Sequence, residues 1–511
     1  MTLTLLDVVL CLVLVTLIVL YVVQRLQTSS KRHLPPGPSP LPILGNAHQM
    51  SSDFPEKVFA QWKDVYGDII FLQMFATPVL VLNSAKAVRD LLEKRSTKYS
   101  DRPYSTRFIE LLGWDASFAL RNYGEMFRRH RRWLQAPFFD KASIAQYLPV
   151  QTREAHILLS NLLIDPDNFS NHVRRFSGAT MLETLYGHSV ISPDDEYLRL
   201  VDTTIEGTTA ASAPGAALVD FIPILKYTPT WLPGGGWKRR TLEGRAALQE
   251  THVKTYALAE MHANNGKLSV VGSLIKEYSD KGEIGPLLPE IMQLGTSAYS
   301  AGTDTTKCVL QSFILAMVLH PEVYKKAQDE MDRVVGHDRL PTLEDRDSLP
   351  YLECIQKETY RWICPVPLSL PHASSEDDEY RGYFIPKGTT VIPNLWLMCR
   401  DPEDYPSPDD FLPERFSMLT AEEVERIDPR NIVFGHGRRI CPGRRFADIS
   451  VWLGMSYMIA TLDISKARDA LGNEITPPVL YEPGFTSCPV HFECSIKARS
   501  QNAVELIAST A

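Results

Sequence analysis

Apolar residues recur at helical spacing along much of the chain. The period of three to four residues predicts amphipathic helices near 55–65, 84–96, 124–136, 142–163, 247–262, 287–319, 321–335 and 350–362. Short apolar runs rich in β-branched and aromatic residues predict strands at 69–72, 79–82, 383–385 and 390–393. Clusters of glycine and proline separate these segments. The pattern therefore predicts a mainly α fold with small β-sheets.

The N-terminal pattern is different, because residues 3–23 are apolar almost without interruption. Asp7 is the one charged residue in that run, and about twenty apolar residues span the core of a bilayer. Arg25, Lys31 and Arg32 follow the run, which favours an anchor over a cleaved signal peptide and places the body of the protein in the cytosol. We predict a transmembrane anchor at 1–24, a basic and proline-rich linker at 25–45, and one catalytic domain at 46–511.

Composition narrows the possible functions. The net charge of −8 and the pI near 5.9 argue against the broad basic surface of a nucleic-acid binder. The eight cysteines are scattered without a CxxC pair, which argues against a disulfide framework and a structural zinc site. We expect every cysteine but one to be a small buried apolar side chain, in a domain that faces a reducing compartment.

The exception is Cys441, which lies in the run Phe434-Gly-His-Gly437-Arg-Arg439-Ile-Cys441-Pro-Gly443. Glycines permit a tight loop whose N–H groups point at the sulfur. Arg439 is placed to reach a carboxylate of a bound group, and Phe434 can shield the sulfur. The frame predicts a thiolate that ligates haem iron.

This run resembles the haem-binding loop of cytochrome P450 monooxygenases, and every fixed position of that loop is filled. The resemblance implies that Cys441 is the axial ligand of haem iron in the cytochrome P450 fold, a single large haem domain after the membrane helix. It also implies that O2 is a co-substrate, that a membrane-bound NADPH–cytochrome P450 reductase supplies electrons, and that the domain lies on the cytosolic side of the endoplasmic reticulum. Residues 221–233 and 379–389 look like those of fungal members, many of which act in secondary metabolism.

A second motif, Ala301-Gly302-Thr-Asp304-Thr305-Thr, lies inside the helix predicted at 287–319. Glycine followed by acid and hydroxyl residues is unfavourable in the middle of a helix, and such a departure suggests a functional site. The motif resembles the oxygen-binding segment of the family's distal helix. By that match, Gly302 lets the helix open over the iron, and the Thr305 hydroxyl and the Asp304 carboxyl relay protons to bound oxygen.

Two charged residues share one helical face at Glu358 and Arg361, and Arg415 follows in Pro-Glu-Arg-Phe. They resemble the family's buried Glu–Arg–Arg cluster, which implies a structural role.

A further match begins at Tyr123, where Phe127 occupies the position of the family's usual tryptophan. Phenylalanine has no N–H to donate. Pairing with the haem propionates is therefore predicted to depend on Arg131, Arg439 and His372.

A positive patch is predicted around the loop, where it would receive an acidic reductase. Its members are Arg128, Arg129, Arg132, Arg438, Arg439, Arg444 and Arg445. We predict a pocket for a hydrophobic substrate, such as a terpenoid, polyketide or aromatic xenobiotic, with walls at 108–118, 205–215, 297–301, 366–370 and 485–488. Two alternatives stay open at this stage: a haem-thiolate isomerase or dehydratase, and a haem sensor or carrier.

Overall fold

The structure is a computed structural model that describes residues 33–51, 53–192, 194–210, 214–417 and 419–509, together with residues 13, 15, 16 and 19. Apart from those four positions, the predicted anchor at 1–24 lies outside the described residues, as does the first part of the linker. Among the helices that are described, none combines the length and the apolar character that crossing a membrane requires.

Helices make up most of the described chain, as the spacing predicts. Several begin with proline at their first position, where its missing N–H costs no hydrogen bond. The helices are α1 (Pro55–Tyr66), α2 (Ala85–Val88), α3 (Glu125–Phe139), α4 (Lys141–Ile164), α5 (Phe169–Tyr186), α6 (Glu196–Ala210), α7 (Pro214–Phe221), α8 (Gly236–Asn264), α9 (Val270–Asp280), α10 (Ile284–Leu319), α11 (Pro321–Val334), α12 (Pro350–Ile363), α13 (Leu395–Met398), α14 (Ala421–Ile427), α15 (Arg430–Val433), α16 (Arg444–Thr461) and α17 (Gln501–Ser509).

Small sheets flank the helices. The strands are β1 (Ile69–Met74), β2 (Thr77–Leu82), β3 (His372–Ala373), β4 (Asp378–Tyr380), β5 (Tyr383–Ile385), β6 (Thr390–Pro393), β7 (Leu462–Arg468), β8 (Glu474–Ile475) and β9 (Cys494–Ala498). One sheet has the order β1-β2-β6-β3, with β2 and β6 parallel; the others pair β4 with β5 and place β7 between β8 and β9. The strands predicted from sequence all lie in these sheets.

The core is built around α10, whose 36 residues run between the other helices. From Cys308 to Val318 every side chain of α10 is buried. The helix packs against α5, α9, α16 and β7. Its central position explains how residues of α10 come to lie beside widely separated parts of the chain.

Periodicity did not predict α5 or α16, and both are largely buried. A helix surrounded by protein has no polar face, so its sequence lacks the alternation of faces on which the prediction depends.

The expectation for the cysteines was wrong for two of them, because Cys308 and Cys488 form a disulfide. Their separation of 180 residues gives no spacing signal. The other described cysteines outside the loop are buried free thiols, as expected: Cys354, Cys364, Cys399 and Cys494.

Candidate functional site

The loop at 434–443 is held by backbone contacts that only glycine permits. Gly435 and Gly437 have φ of 77° and 58°, in the left-handed region. A Cβ on Gly437 would lie 2.0 Å from the carbonyl oxygen of Leu92. The Cys441 N–H donates to the carbonyl of Phe434 over 2.8 Å and closes the loop. Two of the predicted glycines are thus needed for conformation or space.

Gly443 has another role. Its φ of −89° is open to any residue, and it stands at the start of α16. Its backbone N–H acts on the sulfur of Cys441 and lowers the pKa of the thiol, as do the charges of Arg131 and Arg444. Burial has the larger effect and raises the pKa of Cys441. The loop therefore directs one backbone N–H, that of Gly443, at the sulfur, and the thiolate needs a further positive charge to be favoured.

Beside this loop lies a group of buried and half-buried basic residues that we call the open cluster: Arg102, Arg131, Arg439 and His372. Arg439 donates to the carbonyls of Ser100, Phe118 and Arg121 over 2.6–3.2 Å. Burial lowers its pKa to about 10. Its guanidinium carbon also lies 3.9 Å from the centre of the Phe127 ring. A carbonyl is neutral, so these bonds orient the arginine without cancelling its charge.

Arg102 was not predicted from sequence, and it is the most deeply enclosed arginine of the open cluster. It donates to the carbonyls of Ala119, Leu370 and Pro371 over 2.7–3.0 Å. Burial and the charge of Arg439 both lower its pKa. No spacing or motif singles out an arginine in a loop before a proline; the fold alone brings it here.

His372 and Arg131 complete the open cluster. His372 on β3 is 3% exposed, and its Nδ1 lies 2.7 Å from the carbonyl oxygen of Tyr99. Burial and neighbouring arginines lower the pKa of His372, so the ring is neutral. Arg131 on α3 donates to the carbonyl of Ile440, next to Cys441. The predicted propionate partners thus converge, although each also holds a backbone carbonyl.

One narrow strip of α10 remains accessible within the packed protein. Ala301 is exposed, while Ala298 and Thr305, on the same helical face, are half-buried. The Thr305 hydroxyl donates to the carbonyl of Ala301 over 2.8 Å. This strip carries the predicted hydroxyl on the accessible side of a helix that is mostly buried from Glu290 to Val318.

The interpretation of Gly302 as an opening in the helix needs correction, because α10 is continuous from Ile284 to Leu319. A Cβ at Gly302 would lie 2.7–3.0 Å from atoms of the Met181 side chain on α5. The glycine therefore allows α5 and α10 to approach closely. Nothing in the sequence links residues 181 and 302.

Asp304 lies beside Lys307, with 3.7 Å between its carboxylate oxygen and Nζ. Burial raises the pKa of Asp304, while Lys307 and Arg174 lower it. A carboxyl group with a raised pKa holds a proton more readily near neutral pH, as a proton donor requires.

The predicted Glu–Arg–Arg cluster is confirmed as an arrangement, and we call it the closed cluster: Glu358, Arg361 and Arg415. Arg361 makes a bidentate pair with Glu358 at 2.7 and 2.8 Å. Arg415 reaches the same carboxylate at 3.1 Å. The side chains of Glu358 and Arg361 are 0% exposed. This position, between α12 and the segment before α14, suits a structural role.

A surface beside the Cys441 loop carries five arginines, and we call it the arginine face: Arg128, Arg132, Arg438, Arg444 and Arg445. Arg128 and Arg438 lie over the ring of Tyr123, at 5.7 and 4.8 Å from its centre. A surface concavity of about 340 Å³ lies among Tyr123, Phe127, Arg128, Arg131, Arg132, Gly437 and Arg438.

Two predicted members of the patch lie elsewhere. Arg129 binds Glu290 of α10 at 2.6 and 3.1 Å, and His130 lies 2.9 Å from the same carboxylate. Arg439 is in the open cluster. Their acceptors come from segments far along the chain, which the helical spacing of α3 does not reveal.

Comparisons with known proteins identify the family. The model of the family described as cytochrome P450 matches residues 35–483. Cytochrome P450 monooxygenase 176 of Postia placenta is 44% identical over 94% of this chain and 93% of the relative. Cytochrome P450 monooxygenase claR of Ampulloclitocybe clavipes is 37% identical over 95% of this chain and 89% of the relative.

Proposed function

We propose that Cys441 is the iron ligand of this chain, which belongs to the cytochrome P450 family of haem-thiolate monooxygenases. The open cluster carries the proposal. Buried arginines that have only carbonyl partners are costly unless an anion joins them. Asp101 offsets part of the Arg439 charge, but it does not supply a carboxylate for each arginine. The two propionates of a bound haem, together with Asp101, would give three carboxylates for the three arginines Arg102, Arg131 and Arg439.

The donors that remain on the arginines fit this assignment. A guanidinium has five N–H groups, and Arg439 spends three on carbonyls. The remaining N–H groups of Arg439, together with those of Arg102 and Arg131, are available to carboxylate oxygens. Phe127 adds packing under Arg439 in place of a donated hydrogen bond.

When bound, the haem supplies the redox centre at which O2 is activated for insertion into a substrate C–H bond. The protein residues hold the reactants and move protons. Cys441 donates its thiolate charge, and Gly443 keeps that charge solvated by a backbone N–H. Thr305, on the accessible strip of α10, orients water or oxygen by its hydroxyl, and Asp304 delivers protons from beside Lys307.

The arginine face is the proposed docking site for a membrane-bound NADPH–cytochrome P450 reductase. Its guanidinium groups are exposed at Arg128, Arg132, Arg438 and Arg445, on a protein whose net charge is −8. A local positive surface on an acidic protein steers an acidic partner to one place. That place adjoins the loop of Cys441, which shortens the path of the electron.

An exposed apolar region supports attachment to the endoplasmic reticulum membrane on the cytosolic side. Ile224, Tyr227 and Trp231 are 73%, 71% and 79% exposed. The linker reaches the same side, because Gly45 pairs with Met74, and Phe75 contacts Phe221. Large exposed apolar groups on the side that the end of the linker reaches suit contact with lipid.

The proposed substrate is a hydrophobic organic molecule, in fungal secondary metabolism or xenobiotic oxidation. The accessible strip of α10 presents Ala298 and Ala301, which have no charge to bind a carboxylate or an amine. The relatives are fungal monooxygenases, which supports a role in a fungal pathway but does not identify the substrate.

The test is the Cys441→Ser variant of the full chain. It should fold in part but lose the red-shifted absorption of the reduced carbon monoxide complex, which depends on a thiolate ligand. Cys494→Ala is a matched control, because Cys494 is a buried free thiol, and it should keep the absorption. Retention of that absorption in Cys441→Ser, with loss in another cysteine variant, would falsify the assignment.

A further inference from the structure

The disulfide joins α10, the helix that carries Thr305 and Asp304, to a loop near the proposed pocket. Cys308 lies on α10 three residues after Thr305, and it is 0% exposed. Cys488 is 5% exposed and ends the predicted pocket wall at 485–488. The bond therefore connects a helix that carries proposed catalytic groups with a segment that was expected to contact substrate.

The loop on the other side of the bond is a narrow hairpin. Tyr481 pairs with Pro489, and the Glu482 N–H donates to the carbonyl of Cys488 over 2.8 Å. We call residues 482–488 the tip segment. The tip segment is also joined to the segment that follows α12, because the Ser487 N–H donates to the carbonyl of Pro365 over 3.0 Å. Phe485, in the middle of the tip segment, is 55% exposed.

A small cleft leads to the disulfide. Its volume is about 110 Å³, and its lining includes Cys488, Lys307, Gln311, Glu482 and His491. This space admits a molecule the size of water or hydrogen peroxide.

A second pair of cysteines provides an internal contrast. Cys364 and Cys399 interact with each other, and both are 0% exposed. They are free thiols, and neither lines the cleft beside Cys488. This pair therefore serves as an internal control for the response of buried thiols to an oxidant.

We propose that Cys308 and Cys488 form a site of reversible oxidation that fixes the tip segment onto α10. In the oxidised form the bond holds the pocket wall in place, and in the reduced form the tip segment moves more freely. The effect on the pocket rests on the proposed function, whereas the oxidation itself does not. In a domain that faces the cytosol, such a bond would report the balance of local oxidants and thiols.

The oxidant is hydrogen peroxide, which a monooxygenase releases when reduced oxygen is not transferred to substrate. One thiol attacks the O–O bond, giving a sulfenic acid and one water. The second thiol attacks the sulfenic sulfur, forming the S–S bond and releasing a second water. Two thiols thus lose two electrons and two protons, and peroxide gains them. A dithiol reductant reverses the change by exchange.

The bond is tested by alkylation of the haem-loaded full chain. Samples treated with hydrogen peroxide or with dithiothreitol are denatured, alkylated and analysed by mass spectrometry. Cys308 and Cys488 should be protected after peroxide and alkylated after dithiothreitol, while Cys364 and Cys399 should be alkylated in both samples. Equal alkylation of Cys308 and Cys488 in the two samples would overturn the proposal.

Movement of the tip segment is tested by hydrogen exchange. Dithiothreitol, or the Cys488→Ala variant, should speed exchange in residues 482–488 by about tenfold, because local opening becomes easier. Cys354→Ala is the matched control and should leave this segment unchanged. Equal exchange in the oxidised and reduced proteins would show that the bond does not restrain the loop. The carbon monoxide spectrum is recorded on the same samples, so failure of the haem assignment is seen separately.

Discussion

The closed and open clusters both bury arginines, but they differ in what balances the charge. In the closed cluster, Arg361 and Arg415 share the carboxylate of Glu358. In the open cluster, Arg102 and Arg439 bind backbone carbonyls. The first cluster contains its own carboxylate, whereas in the second Asp101 offsets only part of the positive charge.

This difference separates structure from binding. A buried charge network that contains its own counterion serves to join segments, and loss of one member leaves the rest uncompensated. A buried network with fewer anions than cations is arranged for an anion that comes from elsewhere. Similar residue types at similar burial therefore have different functions, and the partner atoms decide which.

The largest expected effect is in the closed cluster, where Glu358→Gln leaves two buried arginines without an anion. We expect a loss of about 3–5 kcal/mol in the free energy of unfolding. Urea denaturation of the haem-loaded and haem-free proteins measures it, and both should be destabilised alike. Glu414→Gln is the control, because Glu414 pairs with Lys326 at a side-chain exposure of 42%, and such a pair contributes about 1 kcal/mol or less. A small effect at Glu358 would remove the distinction between the clusters.

The second effect is in the open cluster, where Arg439→Met should weaken haem binding more than it weakens the fold. Loss of a hydrogen bond to a charged group costs about 1.5–3 kcal/mol, or roughly ten- to a hundredfold in affinity. Transfer of haem to apomyoglobin measures the change, and thermal unfolding of the haem-free protein measures stability.

Arg346→Met is the matched control, since Arg346 has carboxylate partners in Asp448 and Glu353 at 2.6 and 2.9 Å. It should lower stability and leave haem transfer nearly unchanged. If Arg439→Met released haem no faster than this control, the open cluster would not be the propionate site.

The smallest effect concerns the arginine face, whose members are exposed except for the half-buried Arg444. Arg128→Glu with Arg444→Glu should slow reduction by the reductase by about tenfold at low salt and flatten the dependence on salt, because steering is lost. Stopped-flow reduction over a salt series is the measurement. Arg239→Glu with Arg240→Glu, two exposed residues of α8, makes the same charge change and should have little effect. An unchanged salt slope in the first variant places the docking surface elsewhere.

Much of the fold could be predicted because many helices are amphipathic. The spacing predicted α1, α3, α4 and most of α10, and β-branched runs predicted β2 and β6. The helical spacing did not predict α5, because Phe169–Tyr186 is buried on nearly every side. The start of α8 at Gly236 was also missed, by about one-third of the helix, since its first turns carry mixed polar residues.

Local sequence also determined the conformation of the loop that carries Cys441. Glycines at 435 and 437 take up left-handed backbone conformations, which short-range steric contact forbids to most other residues. The charges of Glu358 and Arg361 meet because three residues along a helix place them on one face. Such features depend on neighbours in the chain, so the sequence by itself specifies them.

Tertiary structure alone decided which distant groups meet. It placed Met181 against Gly302, Glu290 against Arg129, and Cys488 against Cys308. It also brought Arg102 into the open cluster, where it became part of the candidate site. These contacts join segments that are 161 residues apart for Arg129 and Glu290 and 180 apart for the disulfide. Their partners are chosen by close packing and by the need to pair buried polar groups, and both depend on the whole fold rather than on local spacing.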